Sequence, residues 1–231
     1  MIKINDKRRL EKYILNHRIN EIFDNDIKCF MELFYFKRNE YICKEGEDVP
    51  YLFFFVEGKV KIYITMSNGK SLLICFYDDF RIIGDMEMMS VKPATNNVQA
   101  IQDTYCIGIS METARKYLLN DVKFLRFMCG SLGDKLDKCS NNCSINLLYP
   151  LENRLASYIL ATGQKLNCNG KSVIKINENL KEISELLGTS YRHLIRTFNI
   201  LIEKGGIIKN NGGYEVADEE ILKKLSADLY K

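Results

Sequence analysis

The chain has 231 residues, 46% hydrophobic and 27% charged, a balance that suits a soluble globular protein of two domains with a sizeable core. A formal net charge of only +3 excludes a chain that holds nucleic acid by overall basicity, so any such contact must rest on a local patch. Eight cysteines, with Asp6-Lys7-Arg8-Arg9 and Glu11-Lys12 breaking up any apolar signal-peptide run after Met1, argue against a secreted disulfide framework and set the expectation of a reducing cytoplasm.

Taken in order, residues 2 to about 20 mix Ile, Leu and Tyr with charges and predict a short amphipathic helix. From about Phe34 to Ile109 the texture turns to short β-rich runs punctuated by glycine: Glu40-Tyr41-Ile42-Cys43, Tyr51-Leu52-Phe53-Phe54-Phe55-Val56, Val60-Lys61-Ile62-Tyr63-Ile64 and Leu72-Leu73-Ile74-Cys75-Phe76. That spacing predicts an antiparallel sandwich or barrel. The longest apolar run, 51–56, is far too short to cross a bilayer, and no membrane partner is expected. A long helix is predicted from about Thr113, with Leu118, Val122, Leu125, Cys129, Leu132, Leu136, Cys139 and Cys143 alternating by four and three. Such a seam needs a partner, and the simplest is a second copy across a two-fold axis, hence a parallel homodimer. Asn141, Asn142 and Asn146 end the run, Tyr149-Pro150 marks a hinge, and a helix over 151–162 and a strand over Val173-Ile174-Lys175-Ile176 follow.

Residues 179–205 carry the chemistry. They predict two helices broken at Gly188, the first capped by Asn179 with Glu182 reaching back, the second entered through Thr189 and Ser190. Ile183, Leu186 and Leu187 meet Leu194, Phe198, Leu201 and Ile202, leaving Tyr191, Arg192, Arg196 and Asn199 as an outward stripe. Residues 205–216 then read as a helix stop and a β-hairpin wing with a glycine turn. A plain helical hairpin with a solvated face would also give two amphipathic helices, but the wing favours a winged helix-turn-helix, whose second helix lies in the major groove of DNA. Arginine can there take both acceptors of guanine and asparagine the edge of adenine. From Gly188 to Asn211, Arg192, Arg196, Lys204 and Lys209 stand against Glu203 alone, which favours phosphate contact.

This order of parts resembles the CRP/FNR family of bacterial transcription regulators over nearly the whole chain. The specific match is Leu186-Leu187-Gly188-Thr189-Ser190, Arg196 and Leu201-Ile202-Glu203-Lys204-Gly205-Gly206-Ile207-Ile208, with Glu45-Gly46-Glu47 and Glu57-Gly58-Lys59-Val60 in the roll. Within the family, Tyr41-Ile42 to Tyr63, Leu119-Asn120-Asp121, Phe124-Leu125-Arg126 and Ser190-Tyr191-Arg192-His193-Leu194 look most like the YeiL branch. The resemblance implies an α+β chain: a cyclic-nucleotide-binding-like antiparallel β-roll over 1–112, a dimerisation helix and hinge over 113–148, and a winged helix-turn-helix over 149–231. It also implies that Arg196 reads a guanine, that Ser190 and His193 touch phosphate, and that Tyr191 and Arg192 are the other reading positions. Thr189, Asn199 and Lys209 complete the expected DNA-binding set. Arg192 stands where relatives often have Glu, so the operator cannot be copied from them.

Three effector readings follow. Relatives that bind cyclic AMP hold its phosphate with a Gly-Glu pair, an arginine and a following serine or threonine, whereas Gly84-Asp85-Met86-Glu87 through Pro93-Ala94-Thr95-Asn96-Asn97-Val98 contains no arginine, so cyclic nucleotide is not the expected effector. An iron–sulfur cluster would need closely spaced N-terminal cysteines, and only Cys29 and Cys43 precede the main strands, while Cys75 and Cys106 read as core. Cys129, Cys139 and Cys143 lie on the seam, either as small apolar filler or as a redox or metal sensor, with Cys139 and Cys143 one turn apart as the candidate ligands. No other cofactor is expected. With two histidines, His17 and His193, neither in a nucleophile or ligand motif, no enzyme is expected. The expected partners are a double-stranded DNA operator, a second copy and, for an activator, RNA polymerase; a signalling module whose C-terminal domain contacts protein is the competing reading.

Overall fold

The computed structural model describes residues 1–168, 171–176, 179–210, 213–226 and 229. The chain falls into two compact units, one made of residues 1–64 and 76–138, the other of 65–75 and 139–231.

The first unit opens with β1 (Ile2–Ile4) and α1 (Lys7–Asn16), where Asp6 caps the helix by accepting from the Arg9 amide at 2.9 Å. The expected helix from residue 2 is thus shorter, because Ile2–Ile4 pairs with a strand some thirty residues away. There follow β2 (Glu32–Phe36), β3 (Tyr41–Cys43), β4 (Tyr51–Glu57), β5 (Val60–Thr65), β7 (Arg81–Ile83), α2 (Asp85–Ser90), β8 (Asn97–Ala100) and β9 (Thr104–Ser110), while β6 (Ser71–Tyr77), between β5 and β7 in the chain, falls mostly in the second unit. The first unit's strands form two antiparallel sheets, β1-β2-β9-β4-β7 and β3-β8-β5, the two-layer roll that the glycine-punctuated runs predict. Strand β4 lies between β9 and β7 and is covered on both faces, with Phe53, Phe54 and Phe55 buried. A strand buried on both sides must be apolar at every position, which is why its sequence is a run rather than an alternation. Phe53 stands edge-on to Phe34 and Phe36 at centroid distances of 5.6 and 5.7 Å.

The helix expected to run unbroken from about Thr113 is two helices, α3 (Met111–Leu118) and α4 (Val122–Leu148). The break is built by Asp121, buried, whose Oδ1 accepts from the Phe124 amide at 2.8 Å and Oδ2 from the Asp24 amide at 2.9 Å. One carboxylate thereby caps α4 and fixes the loop beside it. Leu118 consequently sits on α3, 1% exposed within its own chain, and drops out of the expected seam. Within its own chain α4 buries Phe124 and Met128, and Lys135 reaches from the same face to the roll. Its Nζ lies 2.6 Å from Asp85 Oδ2 and 2.8 Å from the Ile82 carbonyl.

In the second unit α5 (Leu151–Thr162) packs against the C-terminal helices, and β10 (Gln164–Cys168) pairs with β11 (Lys171–Ile176). Then come α6 (Leu180–Leu186), α7 (Tyr191–Glu203), β12 (Ile207–Asn210), β13 (Gly213–Val216) and α8 (Glu219–Ser226). The sheet order is β10-β11-β13-β12, antiparallel throughout. The wing turn at Asn211 and Gly212 lies outside the described residues. No helix among the described residues is long and apolar enough to cross a membrane.

Candidate nucleic-acid interface

Two helix ends set the geometry of this region. After α6 the chain turns through Gly188 at φ 61°, with the Gly188 amide donating to the Glu185 carbonyl at 2.9 Å and the Thr189 amide to that of Ser184 at 2.9 Å. After α7 the pattern repeats through Gly205 at φ 77°, the Gly205 amide bonding to Ile202 at 2.9 Å and the Gly206 amide to Leu201 at 3.0 Å. These paired bonds complete the orphan carbonyls of each helix, and the left-handed residue between them costs least as glycine. From α5, Arg154 Nη1 donates to the Leu187 carbonyl at 2.9 Å and holds the corner between the two helices.

The N-caps are equally local. Asn179 Oδ1 accepts from the Lys181 amide at 2.9 Å, so the cap bond goes to the second helical residue rather than the third. Ser190 Oγ accepts from the His193 amide at 3.2 Å, which leaves its own hydroxyl proton available at the N-terminus of α7, where backbone donors favour an anion. Thr189, half-buried, lies with its Oγ1 3.2 Å from His193 Nδ1. Thr189, Ser190 and His193 are therefore assembled at the entry of the helix.

The inner face of α7 is closed by Leu194, Phe198 and Leu201, all 0% exposed, against Ile183 and Leu187, also 0% exposed. Tyr191, Arg192, Arg196 and Asn199 project into solvent, and neither arginine makes a hydrogen bond or ion pair among the described residues. The Tyr214 ring of the wing packs tilted against Phe198, with centroids 4.4 Å apart, so β13 is anchored to the underside of α7. Lys209 on β12 is exposed and leans over the Tyr214 ring at 5.8 Å. Of the four cations counted from the sequence, Lys204 is already engaged, its Nζ 2.7 Å from Glu152 on α5. The free positive charge is thus carried by Arg192, Arg196 and Lys209.

The remaining predicted residues lie on α4. Val122, Cys129, Leu136, Cys139 and Cys143 are exposed and Leu125 and Leu132 half-buried, an apolar row offset from the face that packs on the chain's own roll. Partial burial, then the neighbouring Cys143 thiol, raises the pKa of Cys139 above its ordinary value, which lowers the thiolate fraction needed for oxidation or metal binding. Among the described residues no three His, Cys, Asp or Glu side chains gather as a metal site. Burial pushes Cys43 up to about 12 and Cys106 well above its ordinary value, so both are inert core thiols. At the segment corresponding to the cyclic-nucleotide cassette, Asp85 is buried and taken by Lys135, a contact that the sequence reading missed. Its readable signal was a lysine on the core-facing register of α4.

A cyclic nucleotide-binding domain family matches residues 33–121, and a Crp-like helix-turn-helix domain family matches residues 153–225. Regulatory protein YeiL of Escherichia coli O157:H7 is 32% identical over 209 residues, covering 90% of this chain and 92% of that protein. A transcriptional regulator assigned to the CRP/FNR family from Eubacterium rectale superposes with a TM-score of 0.70 at 14% identity, over 93% of this chain and 98% of that one. A CRP/FNR-family regulator from Thermus thermophilus gives 0.66 at 18% identity, over 85% and 99%. At such identities the two structures speak for the fold alone.

Proposed function

The chain belongs to the CRP/FNR family of transcription regulators and carries its DNA-binding helix-turn-helix, and from that premise we propose that it is a homodimer reading an inverted-repeat operator through α7, without cyclic nucleotide. The observation that carries the reading is the exposed face of α7, where Arg192 and Arg196 project with no partner among the described residues. Guanidinium groups free of competing carboxylates can take the two acceptors of guanine, each such pair discriminating by about 1–3 kcal/mol. Ser190, with its free hydroxyl proton, and His193 stand where a phosphate would meet the N-terminus of α7, and Lys209 on the wing strand supplies a further backbone contact. Tyr191, Asn199 and Thr189 flank these groups.

Dimerisation is supported by the row on α4. Leu136 is 70% exposed and Val122 56%, and apolar side chains at this spacing are stable only when a second helix covers them. A two-fold dimer presents its recognition helices to successive major grooves, so the half-site centres should lie about one helical turn, roughly 34 Å, apart. RNA polymerase is the further partner if the protein activates. Independence of cyclic nucleotide is supported by Asp85, whose carboxylate is held by Lys135, and by the lack of an arginine from Asp85 to Val98 to neutralise a phosphate.

The test is operator selection from random DNA with the purified protein, followed by titration of the selected site. We expect an inverted repeat, no change of affinity with cyclic AMP, and for Arg196→Ala a loss of about 1–3 kcal/mol with relaxed preference at one base pair. An Arg196→Ala protein with the affinity and specificity of the parent overturns the assignment of α7. Leu136→Glu should sediment as a monomer; a dimer unaffected by it removes α4 as the interface.

A further inference from the structure

We propose that two copies of the chain hold one soft divalent metal ion of the zinc class between their α4 helices, with Cys139 and Cys143 of each copy as its four ligands, a site that rests on the pairing of α4 proposed above.

The row on α4 changes its chemistry along its length. Val122, Leu125, Leu132 and Leu136 give it branched apolar layers as far as residue 136, with Cys129 among them, whereas the next three steps are Cys139, Cys143 and Asn146. Leucine layers hold two helices together by burial; a cysteine layer buries far less, and an asparagine layer costs stability. The helix nevertheless runs unbroken to Leu148. Within its own chain this stretch is secured on an adjoining face, by Asn142, whose Nδ2 donates to the Ile74 carbonyl at 2.8 Å, and by the buried Ile145. What it offers to a second copy is thiols.

Cys139 and Cys143 stand one turn apart, both exposed, and their thiols hydrogen-bond to each other. Four sulfurs bound at about 2.3 Å around a tetrahedral zinc ion lie about 3.8 Å from one another, a separation comparable to that of two thiols in such contact. One chain thus supplies one edge of the tetrahedron. The two-fold copy supplies the opposite edge, because neighbouring layers of a parallel pair meet their counterparts on one axis. Among the described residues no third ligand gathers beside the pair within one chain, so the site is complete only in the dimer. Sulfur ligands select zinc and similar soft ions over magnesium or calcium. Partial burial and the neighbouring thiol keep Cys139 protonated, so the ion binds by displacement: at each ligand the S–H bond breaks, a sulfur–metal bond forms and the proton passes to solvent, with no change of oxidation state.

The test is titration of the full-length protein, kept reduced, with cobalt, followed by displacement with zinc and by sedimentation with and without metal. Cobalt held by four thiolates gives intense visible bands that oxygen ligands do not. We expect those bands to saturate at one ion per two chains, zinc to bleach them, and Cys139→Ser/Cys143→Ser to abolish them, while Cys129→Ser, further up the row, keeps them. Both ligand cysteines are exposed, so serine should leave the fold intact, which far-ultraviolet circular dichroism checks. Saturation at one ion per chain, bands unchanged in the double variant, or no bands at all overturns the site. A metal-free dimer that takes up no cobalt removes the site and leaves the pairing of α4 standing, whereas a chain that stays monomeric with and without metal removes both.

Discussion

The replacement Lys135→Met removes the cation from one of the least solvated ion pairs in the first unit. Asp85 keeps 3% side-chain exposure and Lys135 18%, and the contact between Nζ and Oδ2 is 2.6 Å. Methionine matches the lysine stem in length, so packing is kept while the carboxylate is left buried without its partner. Breaking a buried pair from one side costs about 3–5 kcal/mol; because water reaches Lys135, the lower end, about 3 kcal/mol, is the expected loss. Adding Asp85→Asn to Lys135→Met removes the stranded charge and should return about 2 kcal/mol, since the two sites are coupled through one contact. Urea unfolding of the parent, both single variants and the double variant gives the cycle, run at one protomer concentration because the stability of a dimer depends on it. A loss below about 0.5 kcal/mol for Lys135→Met, or no recovery in the double variant, would refute the view that this pair secures α4 to α2.

Asp121→Ala should destabilise by about 1–3 kcal/mol in the same assay, as it removes the cap of α4 and strips the Asp24 amide of its acceptor. Alkaline pH offers a separate check on the roll. Burial and then the hydrogen bond to Glu57 push Tyr13 up to about 12, and the hydrogen bond to Asp103 pushes Tyr35 up to about 12. A phenol whose folded pKa lies above its unfolded value near 10 binds more protons folded, so its contribution is whole below pH 10 and is lost as pH rises toward 12. Tyr13→Phe/Tyr35→Phe should flatten the fall in urea midpoint between about pH 10 and 12, and an identical slope in both proteins would discredit the two hydrogen bonds.

What was legible in the sequence was local. Gly188 and Gly205 set two helix ends, Asn179 and Ser190 set two helix starts, and each acts within five residues, so the helix-turn-helix could be placed before any tertiary contact was known. The helix break at 119–121 was obscured because Leu118 and Val122 keep the four-residue step across it; Asp121 ahead of Phe124 was the readable cap. Distant pairings were not legible. Strand β1 exists through residues 33–35, Lys135 answers an aspartate 50 positions away, and Lys204 was counted as free although its partner Glu152 lies 52 positions back. A charge is neutral or active according to what folds beside it, and one-dimensional spacing carries no record of that.

The exposed row on α4 also bears on dose. If two chains must meet before a functional reader exists, then below the dissociation constant of the pair the amount of reader grows as the square of the amount of chain. At fixed volume, halving the concentration of chain would remove about three quarters of the assembled readers, and doubling it would raise them about fourfold. Substitutions along Val122, Leu125, Leu132 and Leu136 would then reset the threshold of gene response without touching a single DNA contact.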